Sequence, residues 1–256
     1  MSKYTSSVAS FAFLALSWLP NVSAAYTLKH AATGDVVRWE KRNVTLRIDP
    51  ALEQMLQAGQ VRSAALMASD AWRGFASVPD ITIEDGTPAA YDAGRRGNGI
   101  YLLAKWPFKA NQLAVTVVTY AESGEVLGVD VLVNGEKQFA LFSEGQTAVY
   151  SERYDLAAVL THELGHVLGL DESYEHPEAT MFPQIHQGET HQRLISEDDQ
   201  QAVTQAYLAP FASSSAKAGC SVTGPHAASA GNGMLGCVVG LLSLVAVRSR
   251  RRALAA

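Results

Sequence analysis

Cysteine is scarce in this chain: of 256 residues only Cys220 and Cys237 carry a thiol, and both lie beyond Pro210. Whatever folds upstream of them therefore holds no disulfide and no thiolate ligand for a metal. Basic charge is short as well, since 20 Lys and Arg face 25 Asp and Glu for a formal net charge of -5. That balance provides no cationic surface of the kind that counterion release from nucleic acid requires, so nucleic-acid partners are set aside. No apolar run reaches the roughly 20 residues of a membrane-crossing helix. Histidine is missing from the whole stretch between His30 and His162. Disorder is not indicated either, because 48% of the residues are hydrophobic and 18% charged, close to a globular composition. The length suits one domain with processing segments.

The first segment has a processing layout. Lys3 is followed by the apolar stretch Val8 to Leu19 and then by small residues at Val22-Ser23-Ala24-Ala25, the order of a secretory signal peptide. Residues 1–25 are expected to be removed after Ala24 or Ala25, which places the mature protein outside the cytoplasm. The globular domain is expected over 26–209.

Inside it, Val36 to Trp39 and Val44 to Asp49 read as short strands from their β-branched and aromatic content, with Pro50 ending the second. Leu52, Leu56, Val61, Ala65, Ala68 and Trp72 recur at helical intervals, so Ala51 to Phe75 reads as one helix, with a break near Gly59 allowed. Ile81 to Ile83, Ile100 to Leu103, Leu113 to Tyr120 and Val126 to Val133 read as strands. Between the first two of these, Tyr91 to Gly99 reads as a charged, glycine-rich exposed loop, including Arg95-Arg96. Ala and Leu at helical spacing run from Asp155 to Gly169, where glycine ends the helix. A last helix starts with Ser196 as N-cap, followed by Glu197, Asp198 and Asp199 in its first turn, and ends by about Leu208. This distribution puts the sheet before the helix that carries the chemistry.

That chemistry lies in His162-Glu163-Leu164-Gly165-His166. Two histidines four apart project from one helical face and can share a zinc ion as neutral imidazoles. Glu163, one position on, can reach a water at the metal without binding the metal, and a carboxylate there suits a general base for attack on a carbonyl carbon. HExxH alone is a modest signal, and its surroundings strengthen it. Gly169 follows His166 by three, where a positive φ can turn the chain back toward the metal. Ala179-Thr180-Met181-Phe182-Pro183 places a methionine in a tight turn, suited to an apolar floor under the imidazoles.

Together these residues resemble the metzincin metallopeptidases, in particular the matrixin-like branch. His162 to Gly169 match the extended zinc signature and Thr180-Met181-Phe182-Pro183 look like its Met-turn. The resemblance extends over about Tyr26 to Leu208. It implies an α+β fold, with a twisted mixed sheet packed on a backing helix and an active-site helix, and with the strand around Leu113 to Thr119 as upper rim of the substrate cleft. It also implies a zinc endopeptidase acting on proteins or peptides, with one catalytic zinc and a monomeric chain. The signature's third histidine is absent: Glu172 stands at the matching position. It is the natural third ligand, as carboxylates do complete catalytic zinc sites, with His176 and Asp171 as alternatives. The missing histidines between His30 and His162 remove the ligands of a matrixin structural zinc, and upstream cysteine for thiol latency is missing too. Calcium is left open through oxygen donors such as Asp130 and Asn134. His186 and His191 read as surface residues. A zinc-binding surface protein with a weak or inactive centre is the competing function.

After Pro210 the composition turns to Ala, Ser and Gly over 210–233, followed by the apolar stretch Met234 to Val247 and the basic tail Arg248, Arg250, Arg251 and Arg252. This end reads as lying outside the fold. Gly219-Cys220-Ser221, the spacer, the apolar stretch and the arginines resemble the tripartite C-terminal sorting tags of myxobacterial surface proteins. That resemblance implies processing near Cys220 and attachment at the cell surface, and a plain membrane anchor is the alternative.

Overall fold

The computed structural model describes residues 26–75, 77–86, 91–93, 97–143, 151–208 and, as a backbone strand, 238–247. The expected signal peptide, Arg95-Arg96, the linker with Cys220 and the terminal arginines lie outside the described residues. Among the described residues, no helix is long and apolar enough to cross a membrane.

The elements follow in the order β1 (Asn43–Ile48), α1 (Pro50–Glu53), α2 (Gln60–Ala71), β2 (Asp80–Asp85), β3 (Asn98–Leu103), β4 (Gln112–Tyr120) and β5 (Val126–Asn134). Then come the short pair β6 (Phe139–Ala140) and β7 (Tyr154–Asp155), α3 (Leu156–Val167), β8 (Gln184–His186), α4 (Glu197–Ala206) and β9 (Val238–Val247). The sheet is mixed, in the order β2-β1-β3-β5-β4-β9-β8. Its first four strands run parallel, and β4 folds back antiparallel on β5. This mixed arrangement of sheet and helices fits the α+β fold expected from the sequence.

β4 and β5 are apolar along nearly their whole length because both faces of this part of the sheet are covered. One face meets the main core. On the other, Val115, Val117 and Leu132 lie under Tyr101, Trp106 and Phe108. α2 turns Val61, Ala64, Ala65 and Ala68 inward, and these small side chains let it pack along α3. α3 is buried at all twelve positions, as a helix apolar around most of its circumference must be.

Three aromatic donors fix α3 by its carbonyls. Trp72 Nε1 donates to Thr161 O at 2.8 Å, Trp39 Nε1 to Val167 O at 2.8 Å, and the Tyr207 hydroxyl to Leu168 O at 3.0 Å. The helix starts at Asp155, whose carboxylate accepts from Ala158 N at 2.8 Å and pairs with Arg193 in the 3-10 turn His191–Arg193. A buried carboxylate needs such a partner.

Three expectations are corrected and one is refined. Val36 to Trp39 forms no strand: Val36 bridges His30 and Arg38 bridges Glu125 as isolated pairs, so β propensity there finds only short partners. Ala51 to Phe75 takes the break allowed near Gly59: the chain between Gln54 and Gly59 is turn, and α2 restarts at Gln60. The sheet does not end before the metal helix, since β8 and β9 follow it. The C-terminal apolar stretch is not outside the fold: Val238–Val247 is the strand next to β4.

Candidate metal centre

The 3.6-residue period of α3 brings His162 and His166 side by side, with ring centroids 4.8 Å apart and planes at 86°. Each Nδ1 faces a backbone carbonyl, Thr180 O at 2.7 Å for His162 and Leu170 O at 2.9 Å for His166. With Nδ1 protonated and donating, each ring turns its Nε2 lone pair to the same point, which is how metal-binding imidazoles are held.

Glu172 is brought to that point by the turn after α3. Gly169 adopts φ +89, and a Cβ on it would stand 2.0 Å from Val37 O. The chain then runs back along the N-terminal segment, with Lys29 N donating to Gly169 O at 3.0 Å and Asp171 N to Thr27 O at 2.8 Å. Ser173 N donates to Met181 O at 2.8 Å. Pinned from both sides, Glu172 sets Oε2 3.5 Å from His162 Nε2 and Oε1 3.6 Å from His166 Nε2. Gly169→Ala adds left-handed strain to a backbone collision. It is expected to destabilise the protein by at least about 2 kcal/mol, read as a lowered urea midpoint with unchanged slope.

Among the described residues, His162, His166 and Glu172 form the one such group of His, Cys, Asp and Glu, their ligand atoms all within 4.8 Å of one another. Donors about 2 Å from a tetrahedral zinc stand roughly 3.3 Å apart, close to the separations found here. His162 Nε2, His166 Nε2, Glu172 Oε2 and Glu163 Oε1 are all buried without a hydrogen-bond partner. Buried polar atoms are normally satisfied, so a cation shared by three of them and a water beside the fourth account for the set.

The charges answer one another. Burial works to lower the His162 pKa, but the Glu172 carboxylate beside it, helped by Glu163 and the Thr180 carbonyl, pushes it up to about 9. Burial likewise works to raise Glu172, and the two imidazoles outweigh it and hold that carboxyl down at about 2. Glu163 is raised, by burial above all, although both histidines and a hydrogen bond from Thr116 oppose the shift.

The remaining expected residues separate clearly. Asp171 turns its carboxylate to Glu172 N at 3.0 Å. His176 faces Glu178 at 3.6 Å and Asp198 at 4.0 Å, outside the group. Met181 is buried under α3, so close that a Cβ on Gly165 would meet its sulfur at 2.2 Å. Asn134, raised as a calcium donor, spends its amide at the end of β5: it donates to Gln112 O of β4 at 2.7 Å and accepts from Glu136 N in the following turn at 2.9 Å. Its proposed companion Asp130 lies in β5, paired with Gly99. His186 is half-buried and His191 exposed.

Two residues of the site escape sequence reasoning. Thr116, in the middle of β4, donates its hydroxyl to Glu163 Oε2 at 2.5 Å, and the only signal for it is a polar residue within an apolar strand. Asp199, legible as a helix-capping acid, also accepts from Thr180 N at 2.7 Å and Met181 N at 3.1 Å. It thereby carries the methionine turn.

Fold and site together have the layout of a metallopeptidase metal centre, two histidines one helical turn apart and a carboxylate brought to the same point. The matrixin family model matches residues 103–208, a stretch that contains β4, β5, α3, the His162–His166–Glu172 group and α4.

Proposed function

We propose that this protein is an exported or surface-attached zinc endopeptidase in which His162, His166 and Glu172 hold the metal and Glu163 is the general base. The observation that carries the reading is the convergence of three buried, unpartnered polar atoms, His162 Nε2, His166 Nε2 and Glu172 Oε2, beside the free oxygen of Glu163.

Zinc held by this set supplies Lewis acidity, which brings the pKa of a water down to about 7 and polarises a carbonyl. Thr116 fixes one Glu163 oxygen and leaves the other to accept the proton of the attacking water. Burial favours the neutral form of Glu163, which suits it to keep that proton and then donate it to the departing amine. Thr180 O and Leu170 O hold the two imidazoles in the tautomer that leaves Nε2 free. The methionine turn fixes Thr180 in place through Asp199.

The layout of residues 1–25 supports export. The C-terminal order of Cys220, spacer, apolar stretch and arginines supports attachment at the cell surface.

Removal of metal with dipicolinate should abolish cleavage of a quenched fluorescent peptide, and one equivalent of zinc should restore it. Activity that survives complete zinc removal would contradict the reading. Uptake should also depend on pH. The His162 proton, held up to about 9 without metal, must leave when zinc binds, so affinity should rise about tenfold per pH unit from 6 to 8. Chelator competition at several pH values reads this directly, and a flat profile would remove His162 from the ligand set.

A further inference from the structure

A strand at the edge of a sheet exposes a row of unpaired N–H and C=O groups that can take up another strand. β4 has β5 on one side and β9 on the other, antiparallel, from Tyr120 opposite Val238 to Gln112 opposite Val245. The far side of β9 pairs in parallel with β8, from Gln184 opposite Val245 to His186 opposite Val247. The C-terminal segment therefore lies between β4 and β8, and it also runs against α3.

Those two walls belong to the metal centre. β4 contributes Thr116, which holds Glu163. β8 follows the turn whose Thr180 carbonyl holds His162. Leu242 of β9 stands opposite Thr116 in register. An extended peptide brought to Glu163 along the β4 edge needs the place that β9 fills.

We propose that Val238–Val247 is an intramolecular occupant of the peptide groove that keeps the peptidase latent until the segment is withdrawn or removed. The inference rests on the peptidase reading above. The segment, Val-Val-Gly-Leu-Leu-Ser-Leu-Val-Ala-Val, has no charge and no proline, so nothing in it opposes a continuous ladder. Joined to the domain through an Ala, Ser and Gly rich stretch, it meets the groove at an effective concentration of about millimolar. A separate peptide of ordinary affinity competes poorly against that. The same apolar stretch is what a bilayer or a sorting machinery would take, so attachment of the tail and opening of the groove become one event.

Leu242→Pro tests this in the full-length chain in mild detergent. Proline removes an N–H and fits poorly in the interior of a strand, and Leu242 lies in the middle of the ladder that β9 makes with β4. Amide exchange over Gln112 to Tyr120 should become at least tenfold faster, and kcat/KM for a quenched peptide should rise at least tenfold at equal zinc content. Gly240→Pro should act in the same way, whereas Leu242→Val should change neither quantity. Equal protection of the β4 amides in the unmutated and both proline forms would overturn the proposal. Faster exchange without cleavage by any form would leave the occupancy standing and remove the peptidase on which latency depends.

Discussion

Glu163→Gln is expected to lower kcat/KM by about a hundred to ten thousandfold, the range for loss of a general base, while zinc content and fold stay unchanged. The substitution keeps the shape of the side chain and an oxygen able to accept from Thr116, which holds Glu163 Oε2 at 2.5 Å. It removes the capacity of the second oxygen, buried and unpartnered, to take a proton. Stability should not fall, because an amide is easier to bury than a carboxylate. A variant that loses zinc along with activity would instead make Glu163 part of the metal's support.

Glu172→Ala is expected to weaken zinc binding by more than a hundredfold, since it removes the one anionic donor of the group and even less direct partners of a metal ligand are worth ten to a hundredfold. A second readout comes from the metal-free protein. His162 sits at about 9 because Glu172 overcomes the effect of burial. Without that carboxylate burial prevails, and the His162 pKa measured by NMR titration should fall. Histidine at the same place restores a neutral ligand. Glu172→His should therefore bind zinc, and by raising the formal charge of the site from +1 to +2 it should shift the activity profile toward lower pH. Full zinc in Glu172→Ala would exclude the carboxylate as ligand.

The parts of this molecule that depend on neighbours in sequence are readable without a structure. The histidine spacing, Asp155 and Gly169 as the ends of α3, and Ser196 with Asp199 at the start of α4 are local signals with local causes. Glu172 is legible by its distance from His166. Resemblance to the metzincins supplies the order of the elements around them. Long-range pairing is not legible in this way. That Lys29 and Thr27 pin the turn carrying Glu172, that Thr116 reaches Glu163, and that Asp199 grips the methionine turn depend on partners between 18 and 144 residues away. β9 is the largest case. Its apolar composition suits a bilayer and a sheet edge equally, and only the pairing with β4 distinguishes them. Val36 to Trp39 errs in the other direction: it has the residues of a strand, but in the fold it finds only isolated bridges.

The most direct measurement of the central claim is peptide cleavage and zinc content on one sample of the full-length Leu242→Pro protein, with and without Glu163→Gln, so that occupancy of the groove does not mask activity. One zinc per chain is expected in both, and cleavage only where Glu163 is intact. Zinc bound with no cleavage by either form, or cleavage that persists without Glu163, would contradict that claim.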